Sequence, residues 1–124
     1  VSVAELDAGL NRASGLLGLS GLSGDMAKLR QAAGEGHAGA QLAIDVFRHS
    51  LLQAIGAMAA SLGGVDCLAL SGGIGVHDQA LLEELRQALA WLEPLRWQVI
   101  PADEEGVIAR SCLEAAGSAA AGWR

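Results

Sequence analysis

Two short stretches hold the residues whose types and spacing could do chemistry. In "LALSGGIGVHD", residues 68–78, an apolar run passes into a helix-like segment through Ser71, Gly72, Gly73 and Gly75. Glycines at such a junction let backbone amides approach a phosphate with no Cβ in the way, and a following helix adds partial positive charge. The same turn also serves as packing between a strand and a helix, so the spacing leaves both readings open. In "PADEE", residues 101–105, three carboxylates stand where a second helix should begin. Asp103 followed by two acids suits an N-cap and an acidic first turn. It equally suits a magnesium site, because magnesium is commonly held by one or two carboxylates together with nucleotide phosphates.

Spacing rules out several other chemistries. A Walker loop needs GxxxxGK[ST], and the sole lysine, Lys28, lies elsewhere, in "DMAKLR". A dinucleotide fingerprint needs GxGxxG, but counting on from Gly73 and Gly75 the third position is Asp78. Cys67 and Cys112 form no CxxC, have no histidine at zinc spacing, and read as buried free thiols of a reducing cytoplasm. His37 and His49 read as surface residues, whereas His77 follows the glycine loop and is a candidate to face a ligand. Trp91, Trp97 and Trp123 read as core or cover residues rather than as a stack for a base.

Residues of this kind act only if elements hold them in place, and the apolar pattern supplies those elements. A short helix is expected over residues 3–12. A compact Gly/Ser-rich loop, "ASGLLGLSGLSGD", should follow, anchored by Leu16, Leu17, Leu19 and Leu22. Asp25 should cap a helix ending at "GEG", residues 34–36. Ala43, Phe47, Leu51, Ile55, Met58 and Leu62 recur at three or four, which predicts a long amphipathic helix over 38–62 stopped by Gly63 and Gly64. "VDCLAL", residues 65–70, is short and continuously apolar, as a strand buried on both faces would be. Asp78 should cap a helix with Leu81, Leu82, Leu85, Ala88, Leu89 and Leu92 on one face. "RWQVI", residues 96–100, should be a second strand parallel to the first, joined by a right-handed crossover. Asp103 should cap a last helix running to about residue 116, with Gly117 as its stop and residues 118–124 frayed.

Composition sets the limits. The chain has 124 residues, suited to a single domain that buries roughly 65% of its unfolded surface. Hydrophobic residues make up 52% and aromatics only 3%, so the core must come from Leu, Ile, Val and Ala. A net charge of −6 argues against a nucleic-acid partner, which needs a basic face. The pattern offers neither a membrane span nor a secretory signal, and a cytoplasmic location is expected. Two strands cannot make a stable sheet alone. That, with the absence of an initial methionine, suggests a piece of something longer.

The stretches "SGLLGLSGLSGDM", "AQLAIDVF", "LALSGGIG" and "VIPADEEGVIAR", in this order and spacing, resemble the C-terminal portion of the acetate and propionate kinases. The resemblance covers residues 13–110. It implies an α/β fold, a partial ribonuclease-H-like (actin-like ATPase) domain with a helical pair followed by strand–helix–strand–helix, the strands parallel. Residues 1–124 would then form one domain: a loop-rich lead-in over 1–37, the alternating elements over 38–117, and a tail over 118–124. The implied activity is reversible transfer of the γ-phosphoryl of ATP to a short-chain carboxylate, with Mg2+ as cofactor. By resemblance Asp25 and Met26 lie in a nucleotide segment, Gly73, Ile74 and Gly75 form the nucleotide loop with Val76 and His77 after them, and Glu104 is the metal carboxylate. No catalytic residue is expected here, since the family's catalytic arginines, histidine and aspartate belong to an upstream kinase half, which becomes the expected partner. A homo-oligomer is expected too.

The departures from the family pattern are specific. The arginine of its "DMR" is Ala27, which removes a cation and a planar stacking surface. Its Glu–Asn after "GIG" is Val76–His77, Gly106 replaces a leucine, and the connection between "LEELRQALAWL" and "RWQVI" is short. An alternative follows from these: a catalytically inactive kinase remnant kept as a structural or interaction module.

Overall fold

A computed structural model describes residues 1–101 and 103–121, with Glu104 and residues 114–121 described as backbone alone. The order is α1 (Val3–Arg12), α2 (Gly15–Ser20), α3 (Met26–Gly34), α4 (Ala38–Leu62), β1 (Cys67–Leu70), α5 (Gly72–His77), α6 (Gln79–Ala88), a 3-10 turn over Ala90–Leu92, β2 (Arg96–Val99) and α7 (Glu104–Ala121). The two strands pair in parallel, with Cys67 opposite Arg96 and Leu70 opposite Val99. The chain is thus a mostly helical α/β segment.

Local chemistry explains most of the boundaries. Ser2 and Glu5 form a reciprocal capping box at the start of α1, and the Ser2 backbone N–H holds the Glu5 carboxyl below its usual pKa. Asp25 Oδ1 accepts the amides of Ala27 at 2.9 Å and Lys28 at 3.4 Å, capping α3. His37 caps α4, its Nδ1 accepting the Ala40 amide at 3.0 Å. His37 is exposed, as expected, and adds this capping role. Gly63 ends α4 at φ +72°, the left-handed conformation that glycine adopts without penalty. Asp78 Oδ1 accepts the Leu81 amide at 2.9 Å, and Asp103 Oδ1 accepts the Gly106 amide at 3.2 Å.

Two apolar clusters make the core, and α4 carries both. Met26, Leu29, Ala40, Ala43 and Ile44 form the first; Leu81, Leu85 and Leu89 form the second, with Leu51, Leu52, Ile55, Leu68 and Trp97 against them. Phe47 and Ile74 pack against both clusters and join them.

Several expectations are corrected. "GLLGLS" is a helix, α2, rather than a loop, and helices occupy much of the stretch read as loop-rich. Leu16 and Leu17 are half-buried, whereas Leu19 and Leu22 are exposed and anchor nothing. The glycine segment is likewise helical, as α5. Met58 and Leu62 of the α4 stripe are exposed, Ala88 of the α6 face is too, and Ala59 is buried instead. β1 is half-covered rather than buried on both faces, because a two-stranded sheet backed by α4 and α6 leaves Ala69 in solvent. Cys67 is half-buried and Cys112 exposed, so neither is a core thiol. Trp97 packs in the second cluster, Trp91 is exposed, and Trp123 lies outside the described residues. α7 runs through Gly117 to Ala121, past the expected stop. Among the described residues no helix is long and apolar enough to cross a membrane.

The Gly39 position shows how α2 and α4 lock. A Cβ there would lie 2.7 Å from the Ser20 carbonyl oxygen and 3.2 Å from His37 Cε1. Gly39→Ala should therefore lower unfolding free energy by about 1–3 kcal/mol through overpacking. Gly56→Ala, in the same helix with nothing within 4 Å of the new Cβ, should raise it by about 0.5–1 kcal/mol. Urea titrations of the two variants check this; equal stabilities would show that α2 moves aside at no cost.

Candidate functional site

Ser20 is the one buried polar residue among those described, and it builds the near wall of the site. Its hydroxyl donates to the Ser23 carbonyl at 3.1 Å and accepts the amides of Leu22 at 3.1 Å and Ser23 at 3.2 Å. The Ser23 hydroxyl in turn accepts the Asp25 amide at 3.0 Å. The polar half of "SGLSGD" is thus a closed turn that delivers Asp25 to the head of α3.

The far wall is α5, which begins at the carboxyl end of β1. Its glycines divide three tasks. Gly72 sits at φ +74° and turns the chain out of the strand. A Cβ on Gly75 would meet Leu70 Cβ at 3.3 Å, so Gly75 lets α5 lie close on the strand end. A Cβ on Gly73 would meet nothing within 4 Å, so Gly73 leaves open space. Gly72 and Gly75 thus serve the fold, and Gly73 borders open space.

That void is a cleft of about 700 Å³ between the head of α3 and α5. Asp25, Met26, Gly73, Ile74 and His77, five of the expected nucleotide residues, line it although they come from segments far apart in sequence. Gly75 and Val76 are not among its lining residues. Glu104 opens α7, and its side chain lies outside the described residues. Among the described residues no cluster of three potential ligating side chains exists.

The sequence reading missed Arg30. It lines the cleft one turn beyond Ala27, on the same face of α3. Its Nε donates to Asp78 Oδ2 at 3.2 Å, and Nη1 and Nη2 donate to the two oxygens of Glu84 at 2.8 and 3.3 Å. Partial burial works against the charge, but the hydrogen bonds to Glu84 and Asp78 outweigh it and push the Arg30 pKa up. Arg48 approaches Glu84 at 3.8 Å and Asp45 at 3.4 Å, extending the network along α4. The i, i+3 spacing from Ala27 was the available signal for Arg30.

The cleft offers apolar lining from Met26, Ile74 and Ala80 beside open space at the Gly73 backbone. Comparison with known proteins follows the same lines. The folded segment is one found in short-chain carboxylate kinases: it overlays acetate kinase from Entamoeba histolytica with a TM-score of 0.79 at 26% identity, covering 92% of this chain and 37% of that one. It overlays a propionate kinase from Francisella tularensis with a TM-score of 0.73 at 28% identity, covering 85% and 32%. The chain belongs to the Acetokinase family, whose profile matches residues 1–110.

Among sequence relatives, it is 45% identical over 91 residues to acetate kinase of Nostoc punctiforme, covering 73% of this chain and 22% of that protein. It is 39% identical to acetate kinase of Acaryochloris marina over 132 aligned positions, covering 89% and 33%. The chain therefore spans a fifth to a third of the length of these relatives. An alignment longer than the chain itself means that the relative carries residues this chain lacks.

The division of labour among the glycines is directly testable. Gly72→Ala should cost about 1–2 kcal/mol, since an alanine must adopt the left-handed conformation. Gly73→Ala should leave the melting temperature unchanged or slightly higher, because it places a methyl in open space. The reverse ranking in thermal melts would show that the chain does not turn at Gly72.

Proposed function

We propose that this chain is the nucleotide-binding C-terminal part of a short-chain carboxylate kinase, folded as one domain on the ribonuclease-H-like, actin-like plan. The observation that carries this reading is the cleft, in which Asp25–Met26 and Gly73–Ile74 meet and Gly73 leaves room for a ligand. ATP or ADP would lie with its phosphates toward the backbone at Gly73. The acceptor is acetate or propionate, and the product is an acyl phosphate. The upstream kinase half brings the acceptor pocket and the catalytic cations, and a homo-oligomer in the cytoplasm is the expected setting.

The donor set bears on magnesium as well. A magnesium ion on a nucleotide needs one or two carboxylates, so a ligand cluster is not required. Glu104, first residue of α7, is the proposed metal carboxylate; when bound, the ion neutralises phosphate charge during transfer. Asp25 is a weaker candidate because one of its oxygens is committed to capping α3. The second reading, an inactive remnant serving as a structural or interaction module, is favoured by one observation. Arg30, the lining residue that carries a fixed positive charge, is tied to two carboxylates and gives little charge to a phosphate.

Two outcomes are expected. Residues 1–124 alone should bind magnesium ADP weakly, seen as fast-exchange shifts of the Met26, Gly73 and Ile74 amides in NMR titration. They should form no acyl phosphate, assayed as hydroxamate, from ATP with acetate or propionate. Submicromolar binding, or turnover above a Glu104→Ala control, would show that the chain holds a complete site of its own.

In a full-length kinase carrying this segment, Glu104→Ala should cut turnover and weaken magnesium dependence, while Glu105→Ala should do little. Neighbouring helical side chains diverge by about 100°, so at most one of the two faces the cleft. Equal losses, or the opposite order, would refute the assignment to Glu104.

A further inference from the structure

Among the described residues, α4 is the one helix capped by a ring nitrogen, His37 Nδ1 accepting the Ala40 amide at 3.0 Å. Ser2, Asp25, Asp78 and Asp103 cap α1, α3, α6 and α7 with oxygens. Nδ1 can accept only while it carries no proton, because a protonated imidazole has two donors and no acceptor. A free imidazole takes its proton at about pH 6.5 and a free carboxyl at about pH 4. On acidification the α4 cap is therefore the first to lose its acceptor.

The surroundings make that loss felt. Ala40 is fully buried in the first core cluster, so its amide, one of those with no partner inside the helix, has little access to water once the ring lets go. The first turn of α4 carries no acidic residue to offset a positive ring at the positive end of the helix dipole. A Cβ on Gly39 would lie 3.2 Å from His37 Cε1 and 2.7 Å from the Ser20 carbonyl oxygen, so the ring borders the seam where α2 meets α4. The His37 backbone is held separately, its N–H donating to the Ala32 carbonyl at 2.9 Å and its carbonyl accepting the Gln41 amide at 3.1 Å. The side chain alone can release, and it is exposed, so protons reach it without unfolding.

No neighbouring charge holds the ring in either state. α2 has no ionisable side chain. On α3, Arg30 is paired with Asp78 and Glu84, Lys28 lies in the first turn, and Glu35 at the end accepts the Gln31 side-chain amide at 3.1 Å. Asp45, the first acid along α4, pairs with Arg48, and α6 packs further along, at Leu51, Leu52 and Ile55. Among the described residues no carboxylate pairs with His37.

We propose that His37 is an acid-sensitive cap that frays the start of α4 and loosens its seam with α2 as pH falls. Protons bind the unfolded chain freely but bind the capped chain only by breaking the Ala40 bond, so stability falls on acidification. The loss should run from about pH 7.5 to about pH 5, the range in which imidazoles titrate. It reaches the head of α3 through Ser20, whose hydroxyl organises the turn that carries Asp25.

Urea titrations of the 124-residue chain and of His37→Asn across this range test the proposal, since asparagine caps a helix and does not titrate. The unfolding equilibrium constant of the unmodified chain should rise about fivefold more than that of His37→Asn, the worth of one cap. In NMR, proton uptake at His37 Nδ1 and the shift of the Ala40 amide should follow one titration curve, and Ala40 amide exchange should quicken beyond its ordinary pH trend. Equal losses in the two proteins would assign the acid sensitivity elsewhere, His49 and His77 included, and overturn the proposal. So would an Ala40 amide that stays in place while Nδ1 takes its proton. If His37→Asn does not fold, the paired NMR titration of the unmodified chain decides alone.

Discussion

The structure turns on where Ile74 goes. It is the large apolar residue inside a run of glycines, and it packs against both core clusters at once. Full burial of a side chain of this size contributes about 1.5–3 kcal/mol; Ile74 is half-buried, and the part of that contribution it gains is tied to one backbone path. With Ile74 packed on both clusters, Gly75 lies close on the end of β1, and Ile74 and Gly73 both border the cleft, so core packing and the shape of the cleft share one short segment. Phe47 plays the matching part from α4, and together the two residues make one core out of two clusters.

A polar contact of comparable reach closes the arrangement. Arg30 on α3 meets Asp78, which caps α6, and Glu84 within α6. Asp78 thus holds two bonds of different kinds, one to a backbone amide and one to a side chain far away in sequence. The side chains concerned are mostly buried, Asp78 at 10% exposure and Arg30 at 25%, so the pair is less screened than a surface bridge. It sets the two walls of the cleft relative to each other, while the apolar clusters hold each wall to α4.

Much of this was legible in the sequence where the signal was local. Asp25, Asp78, Gly63 and Gly64 marked the ends of α3, α4 and α6 because capping is a short-range interaction between a side chain and the nearest amides. The parallel pairing of β1 and β2 followed from the crossover helix between them. α2 was hidden because four of its neighbours in sequence are glycine or serine; its helix is secured by close approach to α4 at Gly39, which propensity cannot register. Burial was legible only in part. Met58, Leu62 and Ala88 lie on the expected helical faces yet stay exposed, because burial depends on what stands opposite. At the site, Asp25, Met26, Gly73, Ile74 and His77 meet around the cleft as grouped from the sequence, and Gly75 and Val76 do not line it. Arg30 was not legible because its partners, Asp78 and Glu84, lie far from it in sequence and meet it only in the fold.

The length of α4 has a dynamic consequence. Its 25 residues span about 37 Å as one unbroken helix. Ala40, Ala43 and Ile44 seat the α3 wall on it, and Leu51, Leu52 and Ile55 seat α6, against which Ile74 of the α5 wall also packs. Both walls thus ride on a single stiff strut, with Phe47 between their footings. A hinge that parted them would have to bend the strut or empty a cluster, and neither happens cheaply in a close-packed interior. Within these residues the two walls are therefore expected to move as one body, leaving rotamer changes of the lining side chains, which occur in picoseconds to nanoseconds.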